Sequence, residues 1–264
     1  MEPAEVEVVE EGVKGSTQPQ RAEDDDSRRE IPLGGRMSAF TARYAEEFPR
    51  ESLVVRVAKE GLFIKARPIP KHLRVPRLAS LDGVKQALVT GEVQEMLKQG
   101  VVERVDRGNP RNPFQAYSAM IVVPKPHSTA LRPCLDLSWV NKSIPNESFK
   151  MEGIRTAKDL IRRGDWMGKI DIKTAYWQVP IAEKCRDLFR FCVGNQHYRH
   201  VGLPMGVNVA PRLFTRIMKT VLAPLRRQGI RMVIYLDDIL IISETEKDAK
   251  AQIALVAMAL VRVG

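Results

Sequence analysis

Residues 233–242 constrain this chain more than any other stretch. Val233-Ile234-Tyr235-Leu236-Asp237-Asp238-Ile239-Leu240-Ile241-Ile242 sets two adjacent carboxylates inside an otherwise apolar run. The Ile and Val enrichment reads as two short buried strands with the acidic pair at their joint. An unpaired charge in such surroundings costs several kcal/mol unless a cation compensates it, and a divalent metal would do so. The plain alternative is a hairpin with a chance Asp-Asp turn. Two-residue turns prefer Asn-Gly or Asp-Gly, because both central residues take positive φ, so turn chemistry counts against that alternative.

A further carboxylate lies upstream in Lys169-Ile170-Asp171-Ile172-Lys173-Thr174-Ala175-Tyr176, where a strand-like run over 167–172 carries an acid near its end. Alone, such an Asp is more often a cap or turn residue. Brought beside a hairpin tip carrying Asp237 and Asp238, it completes a carboxylate cluster suited to two hard cations roughly 3.5–4 Å apart, as in-line phosphoryl transfer uses.

These residues resemble the reverse transcriptases. That family has an Asp-x-x-x-Ala-(Tyr/Phe) strand end, a Leu-Pro-x-Gly-x-x-x-(Ala/Ser)-Pro segment and a Tyr-x-Asp-Asp hairpin, in this order. Here Asp171 to Tyr176, Leu203-Pro204-Met205-Gly206-Val207-Asn208-Val209-Ala210-Pro211 and Tyr235 to Asp238 follow one another in the same way. Upstream, 120–125, 131–136 and 140–142 resemble the family's fingers segment, so the likeness spans roughly residues 84–264. The stretches 149–152, 164–167 and 228–231 look most like the DIRS-type retrotransposons, which encode a tyrosine recombinase.

The resemblance implies an α+β fold: right-hand polymerase fingers and palm, an antiparallel palm sheet backed by helices, and no thumb. The chain divides on this reading into a disordered acidic tail (1–30), an N-terminal extension (31–83), fingers (84–150) and a palm truncated at its C-terminus (151–264). Asp171, Asp237 and Asp238 are the implied catalytic and metal-binding residues, holding two Mg²⁺ ions for which Mn²⁺ can substitute. Lys125, Arg132, Ile172, Tyr176, Met205 and Gly206 are the implied nucleotide-binding residues, with Tyr235, Leu236 and Pro204 completing the motifs. A ring at Tyr176 would clash with a ribose 2′-hydroxyl and favour deoxynucleotides. Met205 stands where Gln or Phe is more usual, which removes a polar contact.

The implied partners are an RNA or DNA template with primer, dNTPs, and the rest of a polyprotein carrying thumb, ribonuclease H and recombinase. An inactive fragment that only binds nucleic acid is the alternative. A viral RNA-dependent RNA polymerase is disfavoured by Tyr235-Leu236 and Tyr176.

Charge fits a polyanionic partner. The chain carries a formal +10, with ten acids against four Lys/Arg in the first thirty residues, so the tail is −6 and the remainder +16. Neutralised phosphates release counterions and supply sequence-independent affinity, although a ribosomal or membrane-surface protein would share this balance.

Cys134, Cys185 and Cys192 form no CxxC pair, which favours a reducing compartment. A zinc site from Cys185, Cys192, His197 and His200 is disfavoured because 188–201 reads as a hairpin on which they would not converge. The acidic N-terminus resembles no secretory signal and no run reaches membrane-spanning length, so an intracellular protein of the cytoplasm or nucleus, without a membrane partner, is expected.

Periodicity predicts a helix capped by Thr90 and ended by Gly100, strands over 101–105 and 119–123, and a helix over 151–163 with Ile154, Ala157 and Ile161 on one face. It predicts a long helix from Pro211 with Phe214, Met218, Val221 and Leu225 as core stripe, stopped by Gly229, and a helix over 249–261. Residues 31–80, with Pro68, Pro70 and Pro76, read as an extended strap.

Overall fold

The computed structural model describes residues 6–9, 31–78, 80–125 and 128–264. In chain order the elements are β1 (Val6–Val9), α1 (Thr41–Glu47), α2 (Leu53–Glu60), α3 (Gly83–Lys98), β2 (Val102–Val105), β3 (Met120–Pro124), β4 (Leu131–Leu135), α4 (Ser138–Ser143), α5 (Ile154–Leu160), β5 (Trp166–Ile172), α6 (Glu183–Arg186), β6 (Arg190–Val193), β7 (Gln196–His200), α7 (Ala210–Arg227), β8 (Arg231–Tyr235), β9 (Asp238–Ser243) and α8 (Glu246–Arg262). Short 3₁₀ turns join several of them.

Among the described residues these strands pair antiparallel with one another, in sheets ordered β1-β5-β9-β8, β2-β7-β6 and β3-β4. The first sheet carries the acids. Ile170, Ile234, Ile239 and Ile241 are fully buried in it, and α7 and α8 back it. α7 begins with proline in its first turn, where the missing N–H costs no helical bond. Its Phe214, Met218 and Val221 form the buried stripe. Gly229, at φ 91, lets the chain turn back into β8. Thr245 caps α8 by accepting the Asp248 N–H at 3.1 Å. A second, smaller core joins Val89, Val93 and Met96 of α3 to Val102, Met120, Phe191 and Tyr198.

The architecture is α+β with antiparallel sheets backed by helices, as expected, but several local expectations are corrected. α3 starts at Gly83, not near Thr90, because the Asp82 side chain accepts the Lys85 N–H at 2.9 Å. The Thr90 hydroxyl instead bonds the Gln86 carbonyl, one turn back inside the helix. The region read as a strap contains α1 and α2, and Val54, Val55, Val57 and Ala58 of α2 enter the main core. Pro68, Pro70 and Pro76 lie beyond these helices.

α5 is shorter than expected and buries no residue, with Ile154 exposed. Within the tail expected to be disordered, Val6–Val9 pairs with β5. Valines suit a strand, and the outer edge of β5 offers unpaired backbone groups. The remainder of 1–30 lies outside the described residues. Among the described residues no helix is long and apolar enough to cross a membrane.

Candidate active site

β8 and β9 are joined by Leu236-Asp237, and Tyr235 pairs with Asp238 across the turn. Leu236 takes φ 56, and Asp237 does not share a positive φ. One positive φ at the first central position is what a primed two-residue turn of the second kind requires, normally of glycine. A leucine held there is locally strained, by roughly 1 kcal/mol.

On the other side of β9 lies β5, in a register that sets Asp171 directly opposite Asp238. The Ile172 N–H donates to the Asp237 carbonyl at 3.0 Å, fastening the end of β5 to the turn. Three carboxylates thus arrive at one end of the sheet from two segments distant in sequence.

Their electrostatics are those of a crowded anionic site. Burial pushes the Asp171 carboxyl above its ordinary range, and the Asp238 carboxyl within hydrogen-bonding reach and the charges of Asp237 and Asp238 push it further, while Lys169 pulls the other way. Lys169 Nζ lies 2.9 Å from Asp238 Oδ1. That contact lacks hydrogen-bond geometry, and Asp238 Oδ1, shielded from water, has no hydrogen-bond partner.

Among the described residues no three acid, histidine or cysteine side chains are already gathered closely enough to hold an ion. Side chains of neighbours such as Asp237 and Asp238 diverge, so ion-ready convergence of all three needs a rotamer change. The donor set nevertheless fits a hard divalent cation: it is all oxygen, mutually repelling, and includes a carboxylate oxygen, Asp238 Oδ1, that already draws a cation, the Lys169 ammonium.

Tyr176 follows the turn at Thr174, whose φ is 51. Its ring packs against Phe214, with centroids 5.1 Å apart. Burial, then the charge of Asp237, push its hydroxyl up to about 12. Leu203 and Pro204 are buried, whereas Met205 and Gly206 are exposed on a loop. Asn141 clamps that loop: its Nδ2 donates to the Gly206 carbonyl at 2.8 Å and its Oδ1 accepts the Asn208 N–H at 2.9 Å.

Lys125 and Arg132 sit exposed at the β3–β4 hairpin. No hydrogen bond or ion pair joins either to the three acids among the described residues.

Sequence reasoning placed Asn141 only within the fingers-like stretch 140–142 and assigned no part to Glu152 or Lys169. Glu152 accepts the Ile234 N–H and holds Arg226, tying down the strand that leads to the hairpin. For Lys169 the available signal was its position two residues before Asp171, on the same strand face.

The chain is similar to known proteins over most of its described length. A family profile described as "Reverse transcriptase (RNA-dependent DNA polymerase)" matches residues 123–264. The retrovirus-related Pol polyprotein from transposon 412 of Drosophila melanogaster is 26% identical over 164 residues, covering 60% of this chain and 12% of that polyprotein. The corresponding polyprotein from transposon gypsy of the same organism is 29% identical over 175 residues, covering 64% and 16%. The chain therefore spans less than a fifth of the length of these relatives. In structure it is similar to the foamy viral protease-reverse transcriptase in complex with an RNA/DNA hybrid, with a TM-score of 0.62 and 21% identity over 78% of this chain and 25% of that one.

Proposed function

Because the chain belongs to the reverse transcriptase (RNA-dependent DNA polymerase) family, we propose that it is the fingers-and-palm portion of a retrotransposon polymerase that adds deoxynucleotides to a primer 3′-hydroxyl. The observation that carries this reading is the opposition of Asp171 and Asp238 across β5 and β9, with Asp237 at the adjoining turn. Asp171 and Asp237 would hold divalent metal, Mg²⁺ or Mn²⁺, and Asp238 would complete the cluster. When bound, such ions lower the pKa of the attacking hydroxyl and steady the departing pyrophosphate.

The chain's own residues then have distinct tasks. The Ile172–Asp237 backbone bond and the β5–β9 register fix the spacing of the acids. Tyr176, braced by Phe214, would lie under the sugar and exclude a 2′-hydroxyl. Exposed Met205 and Gly206, on the loop clamped by Asn141, would meet the base and template. Lys125 and Arg132 would grip the triphosphate, whose charge their cationic heads offset.

Residues 84–150 serve as fingers, 151–264 as palm and 31–83 as an extension bracing both. The element is of the DIRS type, its partners are a primed RNA or DNA template and dNTPs, and the site of action is the cytoplasm or nucleus. Thumb, ribonuclease H and recombinase would be carried by the remainder of a polyprotein. Primer extension on RNA and DNA templates with Mg²⁺ tests the reading, with Asp237→Asn as control. Incorporation that depends on Asp237 supports it; equal incorporation by both proteins, or none by either, overturns it.

A further inference from the structure

We propose that Lys169 is a built-in counter-cation for the acid cluster, competing with divalent metal for Asp238 and so setting how tightly the site takes metal up. The inference rests on the reading of Asp171, Asp237 and Asp238 as metal ligands and adds a tuning device to it.

Strand geometry puts Lys169 in place. In β5, Lys169 and Asp171 are two residues apart and share a face. Asp171 lies opposite Asp238 and Lys169 lies opposite Leu240, so Lys169 reaches Asp238 along the diagonal of the β5–β9 pair. The contact is 2.9 Å. Lys169 also feels the charges of Asp171 and Asp237, so one ammonium serves all three carboxylates.

The pair is also built to open. The two side chains are 43% and 40% exposed, and ion pairs with that much access to water are weak and screened. A lysine head on a four-carbon stem can swing into solvent, which opens the Asp238 carboxylate, itself 40% exposed, to water or metal. A half-exposed ion pair of this kind is one that a doubly charged ion can outcompete for Asp238. A divalent ion must either displace the ammonium or share Asp238 with it, and both lower its affinity. Without metal, Lys169 offsets the repulsion that would otherwise splay β5 from the hairpin tip.

The test is Mn²⁺ binding to the full 264-residue chain, followed by the electron paramagnetic resonance signal of free Mn²⁺, with thermal melting in parallel. Wild type, Lys169→Met, Lys169→Gln, Lys169→Arg and Asp237→Asn are compared. Lys169→Met and Lys169→Gln are expected to bind Mn²⁺ about tenfold tighter, the order expected on removing a unit charge a few ångströms from a half-exposed site. They should melt lower than wild type without metal and gain more on its addition, while Lys169→Arg stays near wild type. Equal or weaker binding by Lys169→Met and Lys169→Gln, with wild-type binding still dependent on Asp237, overturns the role of Lys169 and leaves the metal site standing. Binding that ignores Asp237 in wild type overturns both.

Discussion

Glu152 Oε2 accepts the main-chain N–H of Ile234 at 2.9 Å, on the outer edge of the strand that leads into the acidic turn. Arg226 grips the same carboxylate with two N–H groups at 2.8 and 2.6 Å, and Lys219 approaches at 3.2 Å. The edge of β8 is thereby pinned to α7. Glu152→Gln keeps the shape but loses the charge-assisted bonds, and should lower unfolding free energy by roughly 1–3 kcal/mol in urea titrations.

Acid should act through the same group. Burial alone would raise the Glu152 pKa, but Arg226 and the Ile234 N–H hold it down at about 2. A depressed carboxylate contributes stability that is fully present above its ordinary value and is lost as pH falls through the depressed one. Asp165, held at about 2 chiefly by Arg231, acts in the same direction. The urea midpoint should therefore fall between about pH 4.5 and pH 2, and fall less steeply in Glu152→Gln. An unchanged slope would remove Glu152 from the account.

Leu236 offers a test of turn strain. Leu236→Gly should leave stability unchanged or raised by up to about 1 kcal/mol, since glycine accepts the positive φ that leucine resists. Leu236→Val should cost roughly 1–2 kcal/mol, because a β-branched residue tolerates that conformation worse. Thermal melting of the two variants reads the difference.

Gly202 precedes the Leu203-Pro204 segment, and a Cβ there would stand 2.1 Å from the Trp177 carbonyl oxygen. Backbone cannot yield as a side-chain tip can. Gly202→Ala should destabilise by about 2 kcal/mol or more and disturb the bridge from Pro180 to Gly202, detectable as lost protection of the Ile181 and Leu203 amides that flank it.

If Tyr176 excludes a ribose hydroxyl, shortening it should relax the choice of sugar. Tyr176→Ala is expected to raise the GTP-to-dGTP incorporation ratio by about tenfold or more, with Tyr176→Phe near wild type, because the ring and not the hydroxyl does the excluding. Equal ratios in Tyr176→Ala and wild type would assign the tyrosine to packing against Phe214 alone.

The acidic hairpin and α7 were legible because their signals are local. Ile and Val runs bracket Asp237 and Asp238, while Pro211, the Phe214–Met218–Val221 stripe and Gly229 mark a helix from start to stop. The start of α3 was misread because Thr90 and Asp82 are both competent caps, and only the fold engages the second. α2 hid in a stretch whose later prolines suggested an extended chain. Lys169 and Glu152 were invisible as partners, since each is a single charge whose counterpart lies far along the sequence. The opposition of Asp171 to Asp238 follows from strand register, which motif order alone does not specify.

Iron-directed cleavage tests the shared ion most directly. Fe²⁺ loaded in place of Mg²⁺, with ascorbate and peroxide, cuts the backbone where the ion sits, and the fragments can be sized by mass spectrometry. Cuts near both Asp171 and Asp237–Asp238, lost together in Asp237→Asn and suppressed by excess Mg²⁺, are the expected result. Cuts at only one of the two segments, or cuts that persist in Asp237→Asn, would contradict a metal held jointly by β5 and the hairpin.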